Sequence, residues 1–235
     1  MTKFERDRDA LGPWQYHQTL TTQQLDADGK VVAKGTWKSI VRPGDPKPPE
    51  YTFKSMEGKL SFFASGSEEE GTGKPPAKSK PKTESELETN RAESAVAAVR
   101  KYKLRERYQW KRLPDASMGG ESAYVLSFAP KPNQKARTRE ERFFSLLAGK
   151  MWVSQSDYST VKAEVALQTP CPLFWLIARV TTFRFTYELE PNPGNRLLRL
   201  SKASARTVVT FPFYSVRQKH WQTVDKYEPR GPRGK

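Results

Sequence analysis

The chain has 235 residues, 36% of them hydrophobic and 11% aromatic, enough for one core but below the apolar share of a fully packed globule. Its 41 Lys and Arg against 26 Asp and Glu leave a net charge of +15, which admits nucleic acid, acidic lipid headgroups or an acidic protein as partners. The lone cysteine, Cys171, excludes an internal disulfide and a cysteine-based zinc site, and no apolar run is long enough to span a bilayer.

The first residues, MTKFERDRDALGPW, contain no apolar segment of the kind an export signal needs. Either a cytosolic protein or the mature part of an exported one fits. Residues 14 to 42 read as a long β-hairpin, with Asp28-Gly29 supplying the positive φ of a tight turn. PGDPKPP then breaks the ladder, because proline has no N–H to donate. Strand character resumes over 51 to 63. Residues 64 to 82 are rich in Gly, Pro, Ser and Lys and are expected to form a mobile loop, since they offer too little apolar surface to offset the entropy of ordering.

A helix is predicted next. Thr83/Glu86 and Ser85/Glu88 have capping-box spacing, and Ala92, Ala95, Val96, Val99 and Tyr102 share one helical face. A strand is predicted over 103 to 113, with Leu104, Tyr108 and Trp110 on one side and Lys103, Arg105, Arg107, Gln109 and Lys111 on the other. AYVLSFAPKP is a second strand. TREERFFSLLAG is a short helix, with a capping box at Thr138/Glu141 and Gly149 in the left-handed stop position.

From Lys150 onward, strand follows strand. Val161, Ala163, Val165 and Leu167 alternate with Thr160, Lys162 and Glu164, and Phe183, Phe185, Tyr187 and Leu189 alternate with Arg184, Thr186 and Glu188. Period-two alternation means one dry and one wet face, the mark of an antiparallel sheet. The expected fold is α+β: an open, curved antiparallel sheet of eight to eleven strands wrapped over one or two helices, with a disordered basic tail at 228 to 235.

Catalysis is not expected. His17 and His220 are the only histidines, each in a predicted strand, and Cys171 is flanked by two prolines with nothing nearby to lower its pKa. No nucleophile, base and orienter can be assembled, and no cofactor or metal motif occurs. Nucleic-acid binding is the stronger rival, since Arg217, Lys219 and Trp221 would set cations beside a stacking face. At Trp110, however, alternation puts the cations opposite the aromatics, so nucleic acid ranks below an apolar ligand held against the dry face. Trp110, Met151, Trp152, Val153, Phe183, Phe185 and Tyr187 are the candidate lining residues. Trp152 has the opposite parity to Met151 and Val153, so the three cannot all face one cavity. A structural subunit whose hollow is filled by its own side chains is the remaining alternative.

Residues 121 to 227 resemble the outer-membrane lipoprotein-sorting family (LolA/LolB-like). The resemblance rests on a Y-x-L-x-F-x-P strand at Tyr124, Leu126, Phe128 and Pro130, then on Gly149, Trp152 and Val153 leading through Tyr158 into Val161 and Glu164. It covers a little under half the chain, through short, degenerate motifs. It implies a half-barrel closed by helices over a hydrophobic cavity, with lipid or lipoprotein acyl chains as partners, an anionic membrane surface as a further one, and a periplasmic location for the mature form. The chain departs from the pattern in its lysine-rich insert and its charge, and it shows no lipobox cysteine and no placeable lid arginine.

Overall fold

A computed structural model describes residues 14–42, 50–61, 104–118, 120–174, 177–191 and 198–229. The loop expected at 64–82, the helix from Thr83 and the chain beyond 229 lie outside the described residues. Among the described residues there are eleven strands and two short helices: β1 (Trp14–Leu25), β2 (Val31–Val41), β3 (Glu50–Glu57), α1 (Leu104–Arg107), β4 (Tyr108–Met118), β5 (Glu121–Pro130), α2 (Arg139–Phe144), β6 (Leu147–Ser154), β7 (Thr160–Leu167), β8 (Cys171–Phe174), β9 (Ala178–Pro191), β10 (Leu198–Thr210) and β11 (Ser215–Pro229). They form one curved, unclosed antiparallel sheet in the order β3-β2-β1-β11-β10-β9-β7-β6-β5-β4, with β8 paired to β9. The expected fold class is the one observed.

Local chemistry explains the joints. At the β1–β2 turn the Asp26 carboxylate accepts from the backbone N–H groups of Asp28 and Lys30, at 3.0 and 2.9 Å, and Gly29 takes φ +84°. Thr138 caps α2 by accepting from the Glu141 N–H at 3.2 Å. The return arm of the predicted box is displaced by one residue, because the Glu141 side chain accepts from Arg137 N at 2.7 Å. Register shifts at His17/Gln18, Lys38/Ser39, Leu113/Ala116 and Leu200/Lys202 add the local twist that bends a long sheet.

Three expectations are corrected. The strand predicted from 103 starts at Tyr108, and Leu104–Arg107 form one helical turn. There the Arg107 carbonyl accepts from Lys131 N (2.9 Å) and Gln134 Nε2 (2.7 Å), while its guanidinium pairs with Glu141 at 3.0 Å. Gly149 does not end a helix. The α2 cap is Ser145, and Gly149 sits inside β6 between Phe128 and Val165, because Leu147 and its successors find better partners in the sheet than in another helical turn. Third, Glu228 and Pro229, assigned to the tail, extend β11 and pair with Gln15 and Trp14.

The pairing of β1 with β11 joins the first and last of the described strands. Two buried clusters close parts of the dry side. Cys171, Ala178, Val180 and Val209 form the first, with Phe143, Leu146 and Phe183 against them; Ala33, Trp37 and Leu60 form the second, with Leu20. Cys171, 1% exposed, is a core residue whose thiol pKa is raised by burial.

Candidate functional site

Paired residues of an antiparallel ladder project to the same side. One side of the sheet therefore carries the row Phe128, Gly149, Val165, Phe185 and Ala205, with Trp110 at the β4 edge. The next row on that side is Leu126, Met151, Ala163, Tyr187 and Ala203, which continues through Gln222 to Leu20 and Trp37. Phe183 and Val153 share this apolar side by alternation along β9 and β6.

Six of the seven predicted lining residues are thereby brought to one side, and Trp152 is not. It pairs with Val125 and Lys162 on the opposite, polar side, where the Lys162 ammonium lies 4.7 Å from its ring centroid. Met151, Val153, Phe183, Phe185 and Tyr187 are partly exposed, and Trp110 is 43% exposed. Ala163, at 4%, is the small residue that lets Met151 and Tyr187 flank it in one row.

Rings and hydrogen bonds hold this surface in place. Trp110 and Phe128 are 5.3 Å apart, Tyr108 meets Phe128 edge-on at 5.3 Å, and Phe185 and Tyr187 lie at 6.0 Å. Thr160 Oγ1 donates to Met151 Sδ at 3.5 Å. Burial pushes the Tyr187 phenol up in pKa, with side-chain hydrogen bonding between it and Thr160 working against the shift. Helix α2 is pinned over one end: Phe143 packs edge-on against Phe183 at 5.4 Å, and the Tyr108 hydroxyl donates to the Phe144 carbonyl at 2.6 Å.

Beside the apolar rows lies a glutamine strip that alternation alone did not single out. Gln222 Nε2 donates to Gln18 Oε1 at 2.7 Å, and Gln18 Nε2 donates to Ser39 Oγ at 3.0 Å. Gln218 donates to the Ser61 carbonyl, and Gln24 accepts from Ser61 N at 2.7 Å, which ties the chain after β3 to the sheet. The signal available in the sequence was Gln18, Gln24, Gln218 and Gln222, polar residues at the alternating positions where strict patterning calls for apolar ones.

Two hollows, of about 410 and 290 Å³, open mainly on the polar side. Of the seven predicted lining residues, Phe185 alone borders either of them. Among the described residues no group of three or more His, Cys, Asp or Glu could hold a metal ion. Cys171 is in the core and His220 Nδ1 is hydrogen-bonded to Thr22 Oγ1 at 2.9 Å, so the two candidate nucleophile–base partners are separately engaged.

No protein-family profile matches the chain, and no curated protein does. Among solved structures, a LolA superfamily protein from Nitrosomonas europaea is 11% identical, with 97% of this chain and 92% of that one covered at a TM-score of 0.32. A putative outer membrane lipoprotein-sorting protein domain from Vibrio parahaemolyticus is 12% identical over 97% and 91%, also at 0.32. A DUF1329 family protein from Desulfovibrio piger is 11% identical over 97% and 90%, at 0.32. These are weak likenesses at the level of the fold and identify no functional residue of this chain.

Proposed function

We propose that the protein is a non-catalytic, single-domain carrier that holds an apolar ligand, a lipid or the acyl chain of a lipoprotein, against the apolar side of its sheet. The observation that carries this reading is the alignment of Trp110, Met151, Val153, Phe183, Phe185 and Tyr187 from three strands, β4, β6 and β9, on one side of the sheet, all keeping some exposure to solvent. Apolar surface left uncovered in that way is costly in water unless something binds it. The polar side, with its charged residues, serves as the solvated back. The motif resemblance at Tyr124 to Glu164 supports a periplasmic setting and an acyl-chain partner, with an anionic membrane surface as the place of loading or delivery.

Delipidated protein should take up a fluorescent fatty acid, and Met151→Asp should reduce uptake at least tenfold while circular dichroism stays native. Phe185→Ala provides a second, uncharged lesion on the same side. Trp152→Ala, on the opposite side, should bind as the parent does. Folded protein that takes up no fatty acid would sink the reading and favour a structural subunit whose own side chains fill the hollow. Equal loss from Trp152→Ala and Met151→Asp would sink the assignment of the face.

A further inference from the structure

We propose that the polar side of the sheet carries a second site, for a phosphate group, built by Arg184, Arg206 and Lys219. These three residues sit directly opposite one another on β9, β10 and β11, and all three are exposed. Like charges at directly opposed positions destabilise a sheet. Two lysines on this side do have carboxylate partners: Lys162 meets Glu164 at 2.8 Å, and Lys202 meets Glu188 at 2.6 Å. The row of three has no such partner among the described residues. Neighbouring strands are about 4.8 Å apart, so the row presents three cations over about 10 Å, a span suited to one or two phosphates.

The neighbouring row supplies hydroxyls and a ring. Thr186 and Ser204 are paired, and Trp221 is paired with Ser204. Together with the three cations they line the hollow of about 290 Å³, which no acidic residue borders. Guanidinium groups and hydroxyls are donors that fit phosphate oxygens, the arginines in bidentate fashion. The adjoining hollow of about 410 Å³ shares Arg184 and Thr186 and contains one carboxylate, Glu164, which Lys162 already holds. Lys219 and Trp221 were joined by sequence spacing; Arg184 and Arg206 reach them only through the sheet.

The phosphate could belong to a soluble ligand or to a lipid headgroup, and two probes separate these sources. Inorganic pyrophosphate would be titrated by calorimetry, and vesicles of phosphatidylglycerol and phosphatidylcholine would be compared with phosphatidylcholine alone by co-sedimentation. Saturable binding of either probe that weakens at least tenfold in Arg206→Thr, and less in Arg206→Lys, supports the site. Pyrophosphate binding indicates a soluble ligand; preference for the anionic vesicle without it indicates a headgroup. Arg206→Thr should also melt at the parent's temperature or above it, because relief of like-charge contact does not weaken the fold, and it should leave fatty-acid uptake unchanged. Failure of both probes, unchanged binding in Arg206→Thr, or binding confined to single-stranded oligonucleotide would overturn the proposal.

Discussion

Gly149 offers the sharpest test of how this sheet is built. A Cβ placed on it would stand 2.0 Å from the Glu164 carbonyl oxygen and 2.8 Å from Phe128 Cζ. The Phe128 ring can swing, but the carbonyl belongs to the β7 backbone and cannot move alone. Restoring ordinary contact needs β6 and β7 to part by about 1.4 Å at this pair. That strain costs about 1–3 kcal/mol as overpacking, and each ladder hydrogen bond stretched beyond reach adds roughly 1 kcal/mol. A loss of about 3 kcal/mol in Gly149→Ala follows, and with a urea slope of about 2–3 kcal/mol/M the midpoint should fall by about 1 M. Urea melts of the parent, Gly149→Ala and Gly149→Asn provide the assay. Asparagine is tolerated at left-handed helix stops, so a stop glycine would suffer from alanine more than from asparagine. Steric contact in a strand instead makes asparagine at least as damaging as alanine. Parental midpoints for both variants, or asparagine tolerated where alanine is not, would refute the contact.

Tyr108 should act as the tie between β4 and α2. Removing its hydroxyl in Tyr108→Phe leaves the Phe144 carbonyl without its 2.6 Å donor and should cost about 1–2 kcal/mol in a urea melt at neutral pH. Burial pushes its phenol up to about 12, with the Arg107 charge working against the shift. The unfolded chain ionises near its ordinary 10.0, so stability should decline from pH 10 upward until about 12, and Tyr108→Phe should lose that part of the alkaline decline. A phenolate titrating near pH 10 in the difference spectrum between folded parent and Tyr108→Phe would contradict this. Glu228 should behave in the opposite sense. Hydrogen bonds from Lys226 and Gln15, with a further one from His17, hold its carboxyl at about 2. The stability it contributes is present above 4.5 and lost as pH falls through about 2, so carboxyl NMR should find it ionised at pH 3, and Glu228→Gln should flatten the acid limb of the midpoint–pH curve. A Glu228 resonance titrating near 4.5 would contradict the network.

Much of this molecule is written in short windows of its sequence. Side-chain direction alternates along any strand for covalent reasons, so Phe183, Phe185 and Tyr187 had to share a side, and Trp152 had to oppose Met151. The Asp26–Gly29 turn and the Thr138 cap depend on groups within four residues of one another, and they occur where the sequence places them. Neighbourhood across the sheet is a different matter. Nothing within 14–25 names 215–229 as its partner, and nothing local shows that Gly149 prefers Val165 to a helix stop, because such pairings are decided by which register buries the most apolar surface overall. Sequence alternation therefore separated dry residues from wet ones. Only the tertiary structure joined Trp110 to Phe185 through three intervening strands, moved Trp152 behind Lys162, and lined up Arg184, Arg206 and Lys219. The chain encodes the two faces locally, while long-range strand pairing decides which residues on each face become neighbours.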